Sequence, residues 1–345
     1  MRAVQVVRHG APVDAVEVRD VPVPEPGPGL VRIAVRAASI NFGDIARARG
    51  GVASVQAQPP FTLGMDACGT VDAVGDGVDI PLGTRVTAIT AMALGGMAEY
   101  AIAPAHSAFP APDTLDDAEA AGFLLPFHVA HLALHRRAAL QPGERLLVTG
   151  GASGVGTAAI QLGVAAGAEV IAVAGGAAKL EQCRALGAGH LVDHTAGDVF
   201  DAVMAATDGH GADVVFDLVG GDLTETLWTC VAREGRYLPV GFNDDPRSGL
   251  TGRPLRKVST GNFSVVGVML SYNHAPPQLR RMGLAPFPPS TGSVVHAALC
   301  ELVEARGVRP VIGRRITMDQ VGAALADHEA RRTTGRTVVE IGGGR

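Results

Sequence analysis

The sequence predicts an α/β protein of two domains, one of them a doubly wound parallel sheet. Three observations carry this. The chain has 345 residues, more than one simple core organises. Residues 1–120 are rich in β-branched residues and turns. From about Phe123 onward, apolar strands alternate with helical stretches, the rhythm of a parallel sheet with crossover helices.

In the first part MRAVQVV, LVRIAVRAASI and ACGTVDAVG are bounded by Gly and Pro and read as strands. Asp20–Leu30, DVPVPEPGPGL, reads as an ordered loop between two of them. In the second part the strands are RLLVTG (145–150), EVIAVAG (169–175), HLVDH (190–194), DVVFDLV (213–219), GRYLPVGF (235–242) and SVVGVML (264–270). Helical segments such as GTAAIQLGVAAG and AAKLEQCRALGA lie between most of them. Residues 271–291 hold five prolines and read as a partly irregular excursion, either a surface loop or a flap over a substrate cleft. VVHAALCELVEARG then reads as a helix, and TVVEIG as a last strand returning to the first domain.

Composition narrows the function classes. Hydrophobic residues make up 47% and charged residues 18%, the balance of a soluble globular protein. A net charge of −5 gives no basic footprint for nucleic acid. No apolar run is long enough to span a bilayer, and the N-terminus reads as strand and turn rather than a signal peptide. Cys68, Cys183, Cys230 and Cys300 are far apart and form no C-x-x-C. They read as buried thiols in a reducing cytosol, so the expected location is cytoplasmic.

The chemistry begins at VTGGASGVGTAAIQL (148–162). Gly151-Ala152-Ser153-Gly154-Val155-Gly156 fits G-x-G-x-x-G at both ends, with Ser153 in place of the central glycine. A tight turn leaves the strand, small side chains let the backbone approach a pyrophosphate, and the next helix points its N-terminal amides at that charge. Between a predicted strand and helix this pattern specifies a dinucleotide site. A site for NAD places Asp or Glu at the end of the second strand. Here that end is Val173-Ala174-Gly175-Gly176, followed by Lys179. The missing acid makes room for a 2′-phosphate and the lysine supplies charge, so NADP(H) is the expected cofactor.

At this point the chain resembles the medium-chain dehydrogenase/reductase superfamily, in its zinc-free quinone oxidoreductase branch. The resemblance is carried by residues 21–50, 63–78, 95–104 (GGMAEYAIAP), 140–163, 185–194 (ALGAGHLVDH) and 334–341 (TGRTVVEI). It implies a GroES-like β-barrel catalytic domain, split between residues 1–122 and 271–345, with a Rossmann domain (123–270) inserted and the active site in the cleft. It also implies cofactor contacts from His194, Val219, Gly220, Val240, Gly241, Phe242 and Arg336. Zinc-dependent members carry a Cys after the third strand and a Gly-His-Glu further on. Here those places read Ser39-Ile40-Asn41 and Gly64-Met65-Asp66, a poor ligand set for the metal. The four-cysteine lobe is absent between Arg85 and Pro104 as well, so no metal is expected. His128, His131 and His135 share one helical face and are expected to be polar or interface histidines.

Without zinc, a conjugated acceptor suits hydride transfer best, because its charge spreads onto an oxygen that hydrogen bonds stabilise. The expected reaction is reduction of a quinone or α,β-unsaturated carbonyl. The resemblance puts Asn41 of Asn41-Phe42-Gly43-Asp44 beside nicotinamide and substrate, with Asp44 fixing the loop. Some relatives carry a tyrosine where this chain has Ala46, and threonine where it has Val129. Tyr100, His128, Tyr272 or a water is then the proton donor. Two other functions fit the sequence. One is an enoyl-thioester reductase using basic residues at Arg280-Arg281 and Arg253–Lys257; the other is a non-catalytic NADPH binder. The strand 264–270 is an edge whose two-fold pairing would make a homodimer.

Overall fold

Strand Leu30–Ser39 organises the first unit of the chain. Its residues alternate between buried and half-buried along most of its length, the period of a strand with one face on a core. In the computed structural model, which describes residues 1–51, 57–241, 255–274 and 276–342, it lies antiparallel to Asp66–Val74. On its other side Leu30–Ala34 pair with Tyr100–Pro104, while Ala37–Ser39 pair with Val338–Glu340. One strand thus receives two partners end to end. Strands Arg85–Ile89, Ala108–Pro110 and Ile312–Ile316 complete this seven-stranded sheet.

A smaller sheet joins Arg2–Val6 to Val16–Asp20 and Phe61–Thr62. Val4, Val6, Ile33, Leu63, Met97, Leu325 and Val339 meet in a single core. The last strand, Arg336–Glu340, therefore belongs to the same hydrophobic body as the first. The unit comprises Met1–Leu125, Ser271–Glu304 and Arg309–Arg345.

The second unit comprises Pro126–Leu270 and Ala305–Val308. Its sheet is parallel throughout, in the order His190–Asp193, Glu169–Ala174, Arg145–Thr149, Ala212–Asp217, Val231–Pro239, Ser264–Val265. In chain order this is 3-2-1-4-5-6, the doubly wound arrangement whose crevice lies where the order reverses, beside the first strand. Val170–Val173 and Val214–Phe216 are buried, as strands covered on both faces must be. Helix Gly154–Ala165 packs against the first two strands.

One expectation fails. The strand read over 264–270 is laddered only at Ser264–Val265. Gly267 interrupts the β-branched run, and its carbonyl accepts from Arg137 Nε at 2.8 Å, so the backbone there leaves the sheet. The predicted pairing edge is two residues long. The excursion 271–291 holds a bridge between Tyr272 and Phe287 and a short helix, Pro277–Arg281. The following helix begins at Pro289 and runs to Arg306. Among the described residues no helix is long and apolar enough to cross a membrane.

Candidate active site

In the second unit, five strands deliver their carboxyl ends to one edge of the sheet, and the predicted cofactor residues sit there. Gly151, Ala152, Ser153, Gly154, Val155 and Gly156 form the turn from strand Arg145–Thr149 into helix Gly154–Ala165. Ser153 caps the helix, its Oγ accepting from Gly156 N at 3.1 Å. A Cβ on residue 156 would stand 2.2 Å from Gly150 O, so only glycine lets helix and turn meet. Such a turn, with small residues around a helix N-terminus, fits a dinucleotide pyrophosphate.

Gly175 and Gly176 follow the second strand, and Lys179 lies in the first turn of helix Ala177–Ala185. The His194 ring lies against Gly175: a Cβ there would be 2.9 Å from Nε2. Asp193 Oδ2 accepts from Gly176 N at 3.2 Å, and Oδ1 accepts from Thr195 N and Oγ1 at 2.9 and 2.6 Å. These donors hold the Asp193 carboxyl below its ordinary range.

Val219-Gly220 and Val240-Gly241 follow the fourth and fifth strands and are tied together. Val240 N and Gly241 N both donate to Asp217 O, at 2.9 and 3.0 Å. Phe242 lies outside the described residues.

Sequence reasoning passed over Asp217. Its buried carboxylate accepts from Thr149 Oγ1 (2.7 Å), Tyr237 OH (2.6 Å), Val219 N (2.9 Å) and Gly220 N (3.2 Å). It therefore fixes the fourth strand's loop against the end of the first. An acid inside a buried apolar run, as in DVVFDLV, was the available signal.

In the first unit, Asn41, Asp44 and Arg336 gather around a buried carboxylate, Asp66. Asn41 precedes helix Phe42–Arg49, and the two ends of that turn bind each other: Asn41 N donates to Asp44 Oδ2 at 2.9 Å. The Asn41 side chain, 5% exposed, donates to Ser39 O at 3.2 Å and Asp66 Oδ1 at 3.4 Å, and accepts from Arg336 Nη2 at 3.0 Å. Ser39 Oγ donates to Asp66 Oδ1 at 2.6 Å. Arg336 Nη2 reaches Asp66 Oδ2 at 3.4 Å and also bonds Ser39 Oγ. Burial pushes the Asp66 carboxyl up, and Arg336 opposes it.

Two predicted roles change. Arg336, expected at the cofactor, has its guanidinium folded onto Asp66, Asn41 and Ser39. Tyr100, a candidate proton donor, pairs with Ala34, five residues down the strand from Ser39, or roughly 17 Å at the usual rise. Its ring lies under the Arg32 guanidinium, 5.4 Å from carbon to centroid. The register removes it from Asn41.

Asp44 is a positioning residue in this arrangement. Both its oxygens accept backbone amides, from Asn41 and, at 3.3 Å, Gly64. Burial pushes its carboxyl up to about 6, against the backbone hydrogen bond and Arg47. Its ordinary value is lower, so the stability tied to it is complete below that value and is lost as pH rises through 6. Asp44→Asn removes that loss. Unfolding of wild type and variant from pH 4 to 7.5 should show their difference moving by on the order of 3 kcal/mol in the variant's favour, two pK units at 1.36 kcal/mol each. A parallel pair of profiles would refute the assignment.

Zinc does not fit this donor set. The only carboxylate among Ser39, Asn41, Met65 and Asp66 is already paired with a guanidinium that would repel a dication. Among the described residues no group of three or more His, Cys, Asp or Glu is placed to hold a metal ion. The His131 and His135 rings lie tilted at 55° with centroids 4.7 Å apart, and burial pulls His131 down to about 4 and His135 down as well. The described thiols are free, and burial pushes Cys68 and Cys230 up to about 12 and Cys183 to about 11.

A β-rich unit closed by both chain ends, with a 3-2-1-4-5-6 sheet and a glycine-rich first turn between them, defines a two-domain dehydrogenase or reductase. The alcohol dehydrogenase GroES-like domain family matches residues 27–113, and the zinc-binding dehydrogenase family matches residues 154–283. A quinone oxidoreductase-like protein 2 homolog of Nematostella vectensis is 31% identical over 318 residues, 91% of this chain and 82% of its own. A structure of the quinone oxidoreductase of Thermus thermophilus, solved also with NADPH, is 30% identical with a TM-score of 0.77, covering 99% of this chain and 100% of that one. A phenolphthiocerol/phthiocerol polyketide synthase of Mycobacterium tuberculosis is 32% identical over 278 residues, 78% of this chain but 12% of that protein. The chain belongs to the medium-chain dehydrogenase/reductase superfamily, in its quinone oxidoreductase branch, and is an oxidoreductase of that family.

Proposed function

We propose that the protein is a zinc-independent, NADPH-dependent reductase of quinones or α,β-unsaturated carbonyls. The Asp66–Arg336 pair carries the reading, because it occupies the place of a metal ligand with a neutralised carboxylate. NADPH supplies a hydride. Residues Gly151–Gly156 would hold its pyrophosphate, Gly175, Gly176, Lys179 and His194 its adenosine end, and Val219, Gly220, Val240 and Gly241 its groove.

Asn41 orients the acceptor oxygen. Its Nδ2 bond to Asp66 is long, at 3.4 Å, and yields to a better acceptor, while Arg336 keeps the amide's oxygen from turning outward. The acceptor's β-carbon gains hydride, its double-bond electrons move to oxygen, and its α-carbon takes a proton from water. A quinone takes the hydride and a water-borne proton in the same way.

The similarity to a polyketide synthase favours a second reading, reduction of an enoyl thioester. In its basic patch Arg253 lies outside the described residues, and Lys257 Nζ is paired with Glu225 at 2.5 Å. An acceptor screen with NADPH and NADH separates the readings. Naphthoquinone and enones should be reduced, with NADPH preferred. Lys179→Glu should erode that preference by about tenfold or more, the worth of a charge-assisted contact. Equal rates with both nucleotides in the wild type would defeat the cofactor assignment. Turnover of crotonyl-CoA far above naphthoquinone would move the substrate class to thioesters. Tight NADPH binding without turnover of any acceptor would leave a binding protein.

A further inference from the structure

Arg47 is a buried cation that the reaction above does not use. It lies on the last turn of helix Phe42–Arg49 and is 3% exposed. Its Nε and Nη1 are buried and have no hydrogen-bond partner among the described residues. Asp44 balances its charge, but both oxygens of Asp44 accept from backbone amides instead. Leaving such donors unpaired is costly, and more so for a charged group. A methionine there would pack without that penalty.

The guanidinium also reaches the first turn of the helix that Asn41 caps. Gly43, one turn earlier on the same helix face, has no side chain, and a Cβ there would stand 2.9 Å from Met65 Sδ and 3.3 Å from Arg47 Nη1. Arg47 and Met65 therefore converge over Gly43. Met65 adjoins Asp66, whose carboxylate binds Asn41. Gly43 lies two residues from Asn41 in the same capped turn, so the unused Arg47 donors approach the turn that carries Asn41.

We propose that Arg47 recognises an anionic group of the acceptor, and that the acceptors it selects are α,β-unsaturated carbonyl compounds bearing a carboxylate. This rests on the reductase reading. A carboxylate adds a single negative charge to this cluster and can share the Arg47 guanidinium with Asp44. A phosphate dianion would add a second charge next to the buried Asp44 and Asp66, so a carboxylate is the better match. Reduction stays balanced: the acceptor gains hydride at the β-carbon and a proton from water at the α-carbon, the cofactor is oxidised by two electrons, and the carboxylate is unchanged.

The test compares kcat/KM for 4-oxo-2-pentenoate and its methyl ester, with NADPH, in wild type, Arg47→Met and Arg47→Lys. The wild type should favour the acid. The acid-to-ester ratio should fall by about 100-fold in Arg47→Met and be partly restored in Arg47→Lys, which keeps the charge without the planar donor fork. An unchanged ratio in Arg47→Met, or a wild-type ratio near one, overturns the proposal.

If Arg47→Met does not fold, wild type alone decides. Levulinate should compete with a neutral quinone at a Ki at least about tenfold below that of methyl levulinate, and equal Ki values refute the role. Quinone turnover in the same assay keeps the two ideas apart. If quinone is reduced without discrimination between acid and ester, only the Arg47 role fails. If no acceptor is reduced at all, the reductase reading fails. Calorimetry of levulinate against the protein–NADP+ complex then decides Arg47: weaker binding in either variant supports it, and equal or absent binding rejects it.

Discussion

Arg336→Met is expected to destabilise the protein by about 3–5 kcal/mol, because it leaves the Asp66 carboxylate buried without its counter-charge. Asp66 is fully buried and Arg336 is 5% exposed, so water cannot replace the lost partner. Ser39 and Asn41 would still donate to Asp66, but neutral donors do not neutralise a charge. Arg336 also touches Ser39 and Asn41, so its loss frees the Asn41 amide to rotate, and activity should fall beyond what unfolding explains.

The measurement is thermal or urea unfolding of Arg336→Met, Asp66→Leu and the double variant. The double variant should recover much of the loss, since replacing both members of a buried pair by apolar groups is often near neutral. A double variant no more stable than either single one would show that the pair acts through packing rather than charge.

The parts of the protein legible in the sequence are those that local chemistry dictates. The turn at Gly151–Gly156 can be read because strand, small residues and helix follow each other within a few positions. The strand ends can be read because apolar runs stop there. Other features are set by pairings between distant positions. Asp66 and Arg336 are 270 residues apart, and nothing near either reveals the other. Asp217 meets Tyr237 twenty residues on and Thr149 sixty-eight residues back.

Arg47 and Arg49 look alike in RAR, yet the first is buried and the second is half exposed and pairs with Glu329. The helix phase, fixed by packing of Ile45 and Ala48 into the core, decides between them. Tyr100 qualified as a proton donor by residue type alone, and its register on Leu30–Ser39 removes it from the site. SVVGVML reads as a full strand by propensity, but the Arg137 contact at Gly267 ends it early.

Gly156→Ala should abolish measurable NADPH binding. The added Cβ would lie 2.2 Å from Gly150 O and 2.8 Å from Gly151 O. Both are backbone atoms of the same turn, so no side chain can swing aside. Either the helix retreats from the sheet or the turn opens, and in both cases the amides at the head of Gly154–Ala165 lose their aim. The bond from Gly156 N to Ser153 Oγ would be disturbed as well, removing the helix cap at a cost of about 1 kcal/mol.

Gly197→Ala is the matched control, since a Cβ there meets nothing within 4 Å and the residue lies in the same unit. Fluorescence titration with NADPH should show at least about a hundredfold loss for Gly156→Ala, as expected when several charge-assisted contacts go together, and no change for Gly197→Ala. The melting temperature of the first variant should also fall, because the strain persists without ligand. If Gly156→Ala binds NADPH as the wild type does, the phosphate cradle is not at this turn. The contacts assigned to Lys179, His194, Gly220 and Gly241 would then need another origin, because each was placed by its position relative to that cradle.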